Sequence, residues 1–250
     1  SYYFIVYFLI IIYILSIMNS NNSIESFFNL DNVDEYKNIF NENKKIQIQN
    51  ILKDEIAELL FKHSIMDKNW VLATGHDAIK FEKKINKQFE KANSIQIKKI
   101  QDKFKNDKFS YIFHRSMNNK IPSFLEFTLR KYMASKEFLD YLNSITDLNI
   151  TTLNTLFMSK YKGGHFLSPH SDKGNGKIAF VISLTKKWRP EYGGILHFMN
   201  DDKTKIIESY VPEFNTLMLF EVPEEGIPHY VSHIVPYIKE ERYSITGWFS

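Results

Sequence analysis

The sequence contains no cysteine. That absence excludes a disulfide framework, a thiolate metal site and a cysteine nucleophile. An excess of one charge sign is lacking too, with 32 Lys and Arg against 29 Asp and Glu. The formal balance is +3 at pH 7, too small to imply a polyanionic partner by itself. No internal repeat is visible, and from Tyr2 to Met18 there is no charged residue at all. At about 1.5 Å rise per residue that run would be about 25 Å long, the short end of a bilayer span. It has neither a charged leading segment nor a small-x-small cleavage site, so a signal anchor is expected over a removed signal peptide. No Lys or Arg follows the run until Lys37, which places the following domain on the non-cytoplasmic side. The expected location is therefore a membrane, through one N-terminal span; without that span it is cytoplasmic.

What the sequence does have is the material of a buried core, with 44% apolar and 15% aromatic residues in 250. That length suits one sizeable domain, or one domain with an appendage. After a polar linker ending at Ser23, the pattern to about Asn50 is weak. Ile51 to His63 carries a helical stripe, Trp70–Thr74 reads as a strand, and a long helix is predicted from about Ala78 to Lys105. Ten Lys between Lys80 and Lys108 face only four acids. They lie mostly off the apolar stripe, so a solvated face is expected and no nucleic acid. Phe109–Arg115 alternates like a strand. Ile121–Tyr132 and Ser135–Asn143 follow as helices.

From Thr151 onward helical stripes vanish. Short β-rich runs recur at Leu153–Lys160, Lys177–Leu184, Ile195–Met199, Lys205–Val211, Leu217–Val222, Tyr230–Val235 and Arg242–Phe249. Gly-rich turns and Pro223 separate them, the pattern of a sandwich or jelly-roll. Three regions are expected: 1–23, an anchor and linker; 24–150, an α-rich support; and 151–250, the β-rich core. The fold class is α+β, a double-stranded β-helix (jelly-roll) core with a helical N-terminal half.

The chemistry is concentrated in Tyr161-Lys-Gly-Gly-His-Phe-Leu-Ser-Pro-His170-Ser-Asp172. In an extended strand residues i and i+2 point the same way, so His170 and Asp172 enter one site. A third metal ligand must come from elsewhere. His229 and His233 compete for that role. His233 is the candidate taken forward, on the resemblance described next, which expects Val235 and Pro236 beyond the ligand and Arg242 nine residues later. Two His and one carboxylate leave the opposite metal face open, which suits a non-haem Fe(II) site that activates O2. His165 and His197 lack partners at useful spacing. Trp188 and Trp248 are expected to be core anchors, and Gly193-Gly194 a tight turn.

From about Thr155 to Phe249 the chain resembles the Fe(II)/2-oxoglutarate-dependent dioxygenases, in their prolyl-hydroxylase-like branch. The shared features are Tyr161 before His170-x-Asp172, Ser183–Trp188, Tyr192–Phe198, Asn215–Phe220, His233-x-Val235 and Arg242-x-Ser244-Ile-Thr246-Gly-Trp248. The resemblance implies iron ligation by His170, Asp172 and His233. It implies that Arg242 pairs with the C5 carboxylate of 2-oxoglutarate, with contacts from Tyr161 and, more weakly, Ser244 or Thr246. Many relatives have Tyr at the position of Ser183, so Tyr161 takes more of that carboxylate here. The implied cofactors are Fe(II), 2-oxoglutarate and O2, with ascorbate. The implied substrate is a prolyl residue of a protein or peptide; a free amino acid is the alternative enzyme substrate. A jelly-roll that binds metal or sugar without turnover is the reading from another class, and the intact set of three ligands plus Arg242 argues against it.

Overall fold

Alternation along four strands decides the architecture, because each has two faces that must both be buried. The computed structural model describes residues 27–66, 70–74, 97–116 and 124–250. Within these lie eleven strands: β1 (Lys45–Gln49), β2 (Trp70–Thr74), β3 (Tyr111–Ser116), β4 (Leu153–Tyr161), β5 (Phe166–His170), β6 (Ile178–Ser183), β7 (Leu196–Met199), β8 (Ile206–Tyr210), β9 (Thr216–Glu221), β10 (His229–Val231) and β11 (Arg242–Phe249). The helices are α1 (Val33–Asn43), α2 (Asp54–Met66), α3 (Phe124–Met133) and α4 (Lys136–Thr146), with a helical stretch at 97–105.

All strand pairs are antiparallel, in the order β1-β9-β6-β11-β4-β3-β5-β10-β7-β8, with β2 on β3. The result is a nearly closed, jelly-roll-like barrel. Its two ends meet through side chains, where Lys45 of β1 pairs with Glu208 of β8 at 2.9 Å. Gln47 adds a hydrogen bond to the Val211 carbonyl at 3.1 Å.

On β4, Leu156 and Met158 join the core under the helices, while Phe157 and Tyr161 join a second core inside the barrel. The same split separates Phe180 and Ile182 from Ala179 and Val181 on β6, and Leu217 and Leu219 from Met218 and Phe220 on β9. On β11, Tyr243, Ile245 and Phe249 turn to the helices, leaving Arg242, Ser244, Thr246 and Trp248 to face the interior. A one-residue slip of β11 would exchange these sets. The cost would be large, since each fully buried Phe, Leu or Ile contributes about 1.5–3 kcal/mol.

The helical layer is built locally. Ser135 caps α4 by accepting from the Phe138 amide at 3.3 Å, and Asp147 ends it in the left-handed region. Leu129, Phe138, Leu142 and Ile145 then pack on the sheet beside Phe27, Phe28 and Phe40.

Residues 24–50, patternless in the sequence, hold α1 and β1, and β5 is a further strand not anticipated. The predicted strand at Tyr230–Val235 is shorter and earlier, at His229–Val231. The β-rich half is also not self-contained, since β1, β2 and β3 from the first half join the same sheet. Among the described residues no helix is long and apolar enough to cross a membrane. The Tyr2–Met18 run and the start of the predicted 78–105 helix lie outside those residues.

Candidate metal centre and anion pocket

The end of β5 meets the start of its antiparallel neighbour β10, with His170 directly opposite His229. Asp172 follows β5 by two residues. The three side chains converge, each offering a ligand atom within 4.8 Å of the others. His170 Nε2 is 3.5 Å from one Asp172 oxygen and His229 Nε2 is 3.4 Å from the other.

Each ring is oriented from behind. His170 Nδ1 bonds the Ser168 carbonyl at 3.0 Å, and His229 Nδ1 bonds the Ile227 carbonyl at 2.8 Å. A carbonyl only accepts, so each Nδ1 carries the proton and, in the neutral ring, each Nε2 presents its lone pair. Two lone pairs and a carboxylate aimed at one point need a cation there. The donor set therefore fits Fe(II). Burial would raise the Asp172 carboxyl, but the adjacent His170 and His229 outweigh it and hold it below the ordinary carboxylate range.

His233 is not part of this cluster, which corrects the expectation from spacing. The chain leaves the ladder after Val231. At about 3.3 Å per residue, a position four residues beyond His229 would lie roughly 13 Å further along an extended chain. Instead, the exposed His233 stacks on Phe166 at 4.0 Å and meets the edge of Phe104 at 4.9 Å. Its backbone carbonyl has a different use. A Cβ on Gly193 (φ 77°) would stand 2.0 Å from it, so only glycine fits that approach.

The three side chains open into a cavity of about 700 Å³ that also receives Arg242, Tyr161, Ser244, Thr246 and Trp248. Arg242 is 4% exposed and its Nε has no hydrogen-bond partner. Its guanidinium lies 5.2 Å from the Tyr161 ring. Burial pulls its affinity for the proton down and pushes the Tyr161 hydroxyl up, so the pair is a retained cation beside a neutral donor. Gly194 makes room for the stem, since a Cβ there would lie 3.2 Å from Arg242 Cδ.

The two weaker candidates are already engaged. Ser244 shares a 2.7 Å hydrogen bond with Ser159, and Thr246 donates to the Phe180 carbonyl at 3.1 Å. Trp188 is a core anchor, donating its indole N–H to the Gly193 carbonyl at 2.8 Å. Trp248 is not solely one, because it lines the cavity. Strand parity with Arg242 could have shown this.

Residues 156–250 match the family model of the 2OG-Fe(II) oxygenase superfamily. That family implies Fe(II), 2-oxoglutarate and O2. Among curated proteins, the chain is 31% identical over 128 residues to prolyl 3-hydroxylase OGFOD1 of Mus musculus, covering 48% of this chain and 23% of that protein. The chain spans about a quarter of the length of the curated relatives it matches. Two solved structures share the fold. A Pseudomonas putida prolyl-4-hydroxylase gives a TM-score of 0.55 at 14% identity, over 87% of this chain and 97% of that one. A Trichoplax adhaerens prolyl hydroxylase in complex with a hypoxia inducible factor peptide gives 0.57 at 18% identity, over 87% and 88%.

Proposed function

We propose that this chain is a dioxygenase that hydroxylates a prolyl residue of a protein or peptide, using Fe(II), 2-oxoglutarate and O2. The observation that carries it is one cavity holding both a His170–Asp172–His229 cluster and a buried arginine that has no anion among the described residues. The prolyl substrate rests on the likeness to prolyl 3-hydroxylase OGFOD1.

In this reading His170, Asp172 and His229 hold the metal, and the backbone carbonyls of Ser168 and Ile227 fix the imidazoles. Arg242 pairs bidentately with the far carboxylate of 2-oxoglutarate, and Tyr161 adds a neutral hydroxyl. Phe113, stacked on Tyr161 at 5.0 Å, keeps that ring in place, while Val231, Leu196 and Ala179 help keep water out. When bound, iron supplies the oxidation of 2-oxoglutarate by O2 to succinate and CO2, coupled to placing one oxygen atom in a substrate C–H bond. Ascorbate would serve as the reductant that returns iron to the ferrous state. A membrane anchor at Tyr2–Met18 belongs to the same proposal, and carbonate extraction of the expressed chain tests it.

The central test is anaerobic Fe(II) reconstitution of the full chain, then addition of O2, 2-oxoglutarate and a library of prolyl peptides. Succinate formation with a hydroxylated peptide is expected. A metal-loaded chain that forms no succinate overturns the oxygenase reading. Succinate without any hydroxyprolyl product overturns the prolyl assignment alone.

A further inference from the structure

The register across three strands lays the cavity wall out as rungs. Arg242 of β11 is opposite Tyr161 of β4, whose ring stacks on Phe113 of β3. In the next rung Ser244 is opposite Ser159, and Ser159 is opposite Arg115. Arg115 therefore faces the same cavity, two strands across and one rung along from Arg242. Of the two arginines facing the cavity, it is the one that the reading of the site has left without a task.

We propose that Arg115 is a substrate-specificity residue that pairs with a carboxylate of the polypeptide substrate, close to the residue that is hydroxylated. This rests on the reading under "Proposed function" and adds the chemical character of the segment recognised.

Its surroundings carry the inference. Among the described residues no carboxylate pairs with Arg115 and no acceptor takes a hydrogen bond from its guanidinium, which lies 4.3 Å over the face of Phe157. Lys160, opposite the neighbouring His114, faces Glu241 at 3.8 Å. Arg115 is half-buried, and burial is the main cause that lowers its proton affinity. A guanidinium does not respond by losing its proton. It keeps an unsatisfied charge until an anion arrives.

The charge balance of the cavity points the same way. Among the described residues three cations line it, Arg115, Lys173 and Arg242, against one carboxylate, Asp172. Iron and 2-oxoglutarate, a dication and a dianion, cancel one another. The loaded site therefore keeps the excess of two positive charges that it has when empty. Both carboxylates of 2-oxoglutarate have places already, at Arg242 and beside the metal ligands. The remaining excess selects a further anion from the substrate. Phe157 also sits 6.2 Å from Trp248, the two rings tilted by 41°, so an aromatic corner adjoins the charge, a fit for a prolyl ring beside an acidic neighbour.

The experiment uses the full chain and fluorescein-labelled peptides with one Pro, differing only in Glu, Gln or Lys at each flanking position. Each is made with a free or an amidated C-terminus. Anaerobic binding by anisotropy and the KM for hydroxylation are both measured. Wild type should favour a Glu position, or a free C-terminus, by about tenfold or more over its neutral match. Which arm responds identifies the source of the carboxylate. Arg115→Gln should erase that ratio with the KM for 2-oxoglutarate unchanged. Arg115→Glu should reverse it toward Lys peptides, and Arg115→Lys should keep part of it. Unchanged melting temperatures separate these effects from misfolding. A wild type indifferent to peptide charge, a ratio that survives Arg115→Gln, or an effect confined to 2-oxoglutarate would each overturn the assignment. The binding arm tests Arg115 even when no peptide is hydroxylated, so the two proposals fail separately.

Discussion

Replacing Arg242 with Ala is the most exposed consequence of the proposed site. The far carboxylate of 2-oxoglutarate would then face a wall with no cation and little water, since position 242 is only 4% exposed. Removing one partner of a buried pair costs about 3–5 kcal/mol. At about 1.4 kcal/mol per factor of ten, the 2-oxoglutarate requirement should rise roughly a hundredfold to a few thousandfold. Tyr161 survives the change and can still donate one hydrogen bond, which favours the lower end. Arg242→Lys keeps the charge but not the planar fork, so it should fall between. Gly194→Ala offers a check through a different residue. Its new Cβ would crowd Arg242 Cδ at 3.2 Å from a backbone at φ 65°, so the requirement should rise without loss of the cation. The assay is the initial rate of succinate formation against 2-oxoglutarate concentration, with anaerobic calorimetry for affinity alone. A requirement unchanged in Arg242→Ala, in both measurements, would refute the role.

Other outcomes follow from the same geometry. His229→Ala should lose Fe(II) binding in an anaerobic equilibrium titration, and His233→Ala should keep it; the reverse pattern would restore the ligand expected from spacing. Gly193→Ala should destabilise or fail to fold, because its Cβ would lie 2.0 Å from the His233 carbonyl; a melting temperature like wild type would count against that contact. Acid should weaken the fold through His114 and His165, stacked at 5.1 Å. Burial first, then nearby lysines, pushes His114 down to about 4, and burial first, then His114, pushes His165 down to about 3, from 6.5. The unfolded chain then binds more protons than the folded one, so stability is full above about pH 6.5 and falls as pH drops toward those values. Thermal melts between pH 7.5 and 4.5 should show a shallower slope for His165→Phe, by at most about 1.4 kcal/mol per pH unit; identical slopes would dismiss the contribution.

The C-terminal strands were legible because turn residues bound each apolar run. The alternation within them also shows which face of β11 carries Arg242. Two strands were hidden for different reasons. Lys45–Gln49 does alternate, burying Ile46 and Ile48, but it is only five residues long amid Asn and Lys. Phe166–His170 contains Pro169, a residue that argues against a strand interior. The metal site was half legible. His170 and Asp172 follow from i, i+2 spacing, whereas choosing between His229 and His233 by distance to Arg242 was the wrong criterion. Antiparallel strands supply the right one. A ligand at the end of β5 needs its partner at the beginning of the neighbouring strand, just past Gly226 and Pro228, where His229 stands. His233 stands past the opposite end of β10. Arg115 could not be found this way, because its importance depends on a neighbour two strands distant.

β3 has an effect that reaches beyond its own six residues. Among the described strands it stands between β4 and β5 in the sheet order, and so between the strands bearing Arg242 and those bearing His170 and His229. It pairs with β5 at Tyr111 and Ile112 and with β4 at His114 and Arg115. In the proposed site, the distance from the His170–Asp172–His229 cluster to Arg242 thus depends in part on a strand outside residues 156–250. If the site works as proposed, this spacer helps set the reach of the 2-oxo acid it accepts. Lengthening or shifting β3 by a pair of residues would change which diacid fits while leaving every ligating side chain in place.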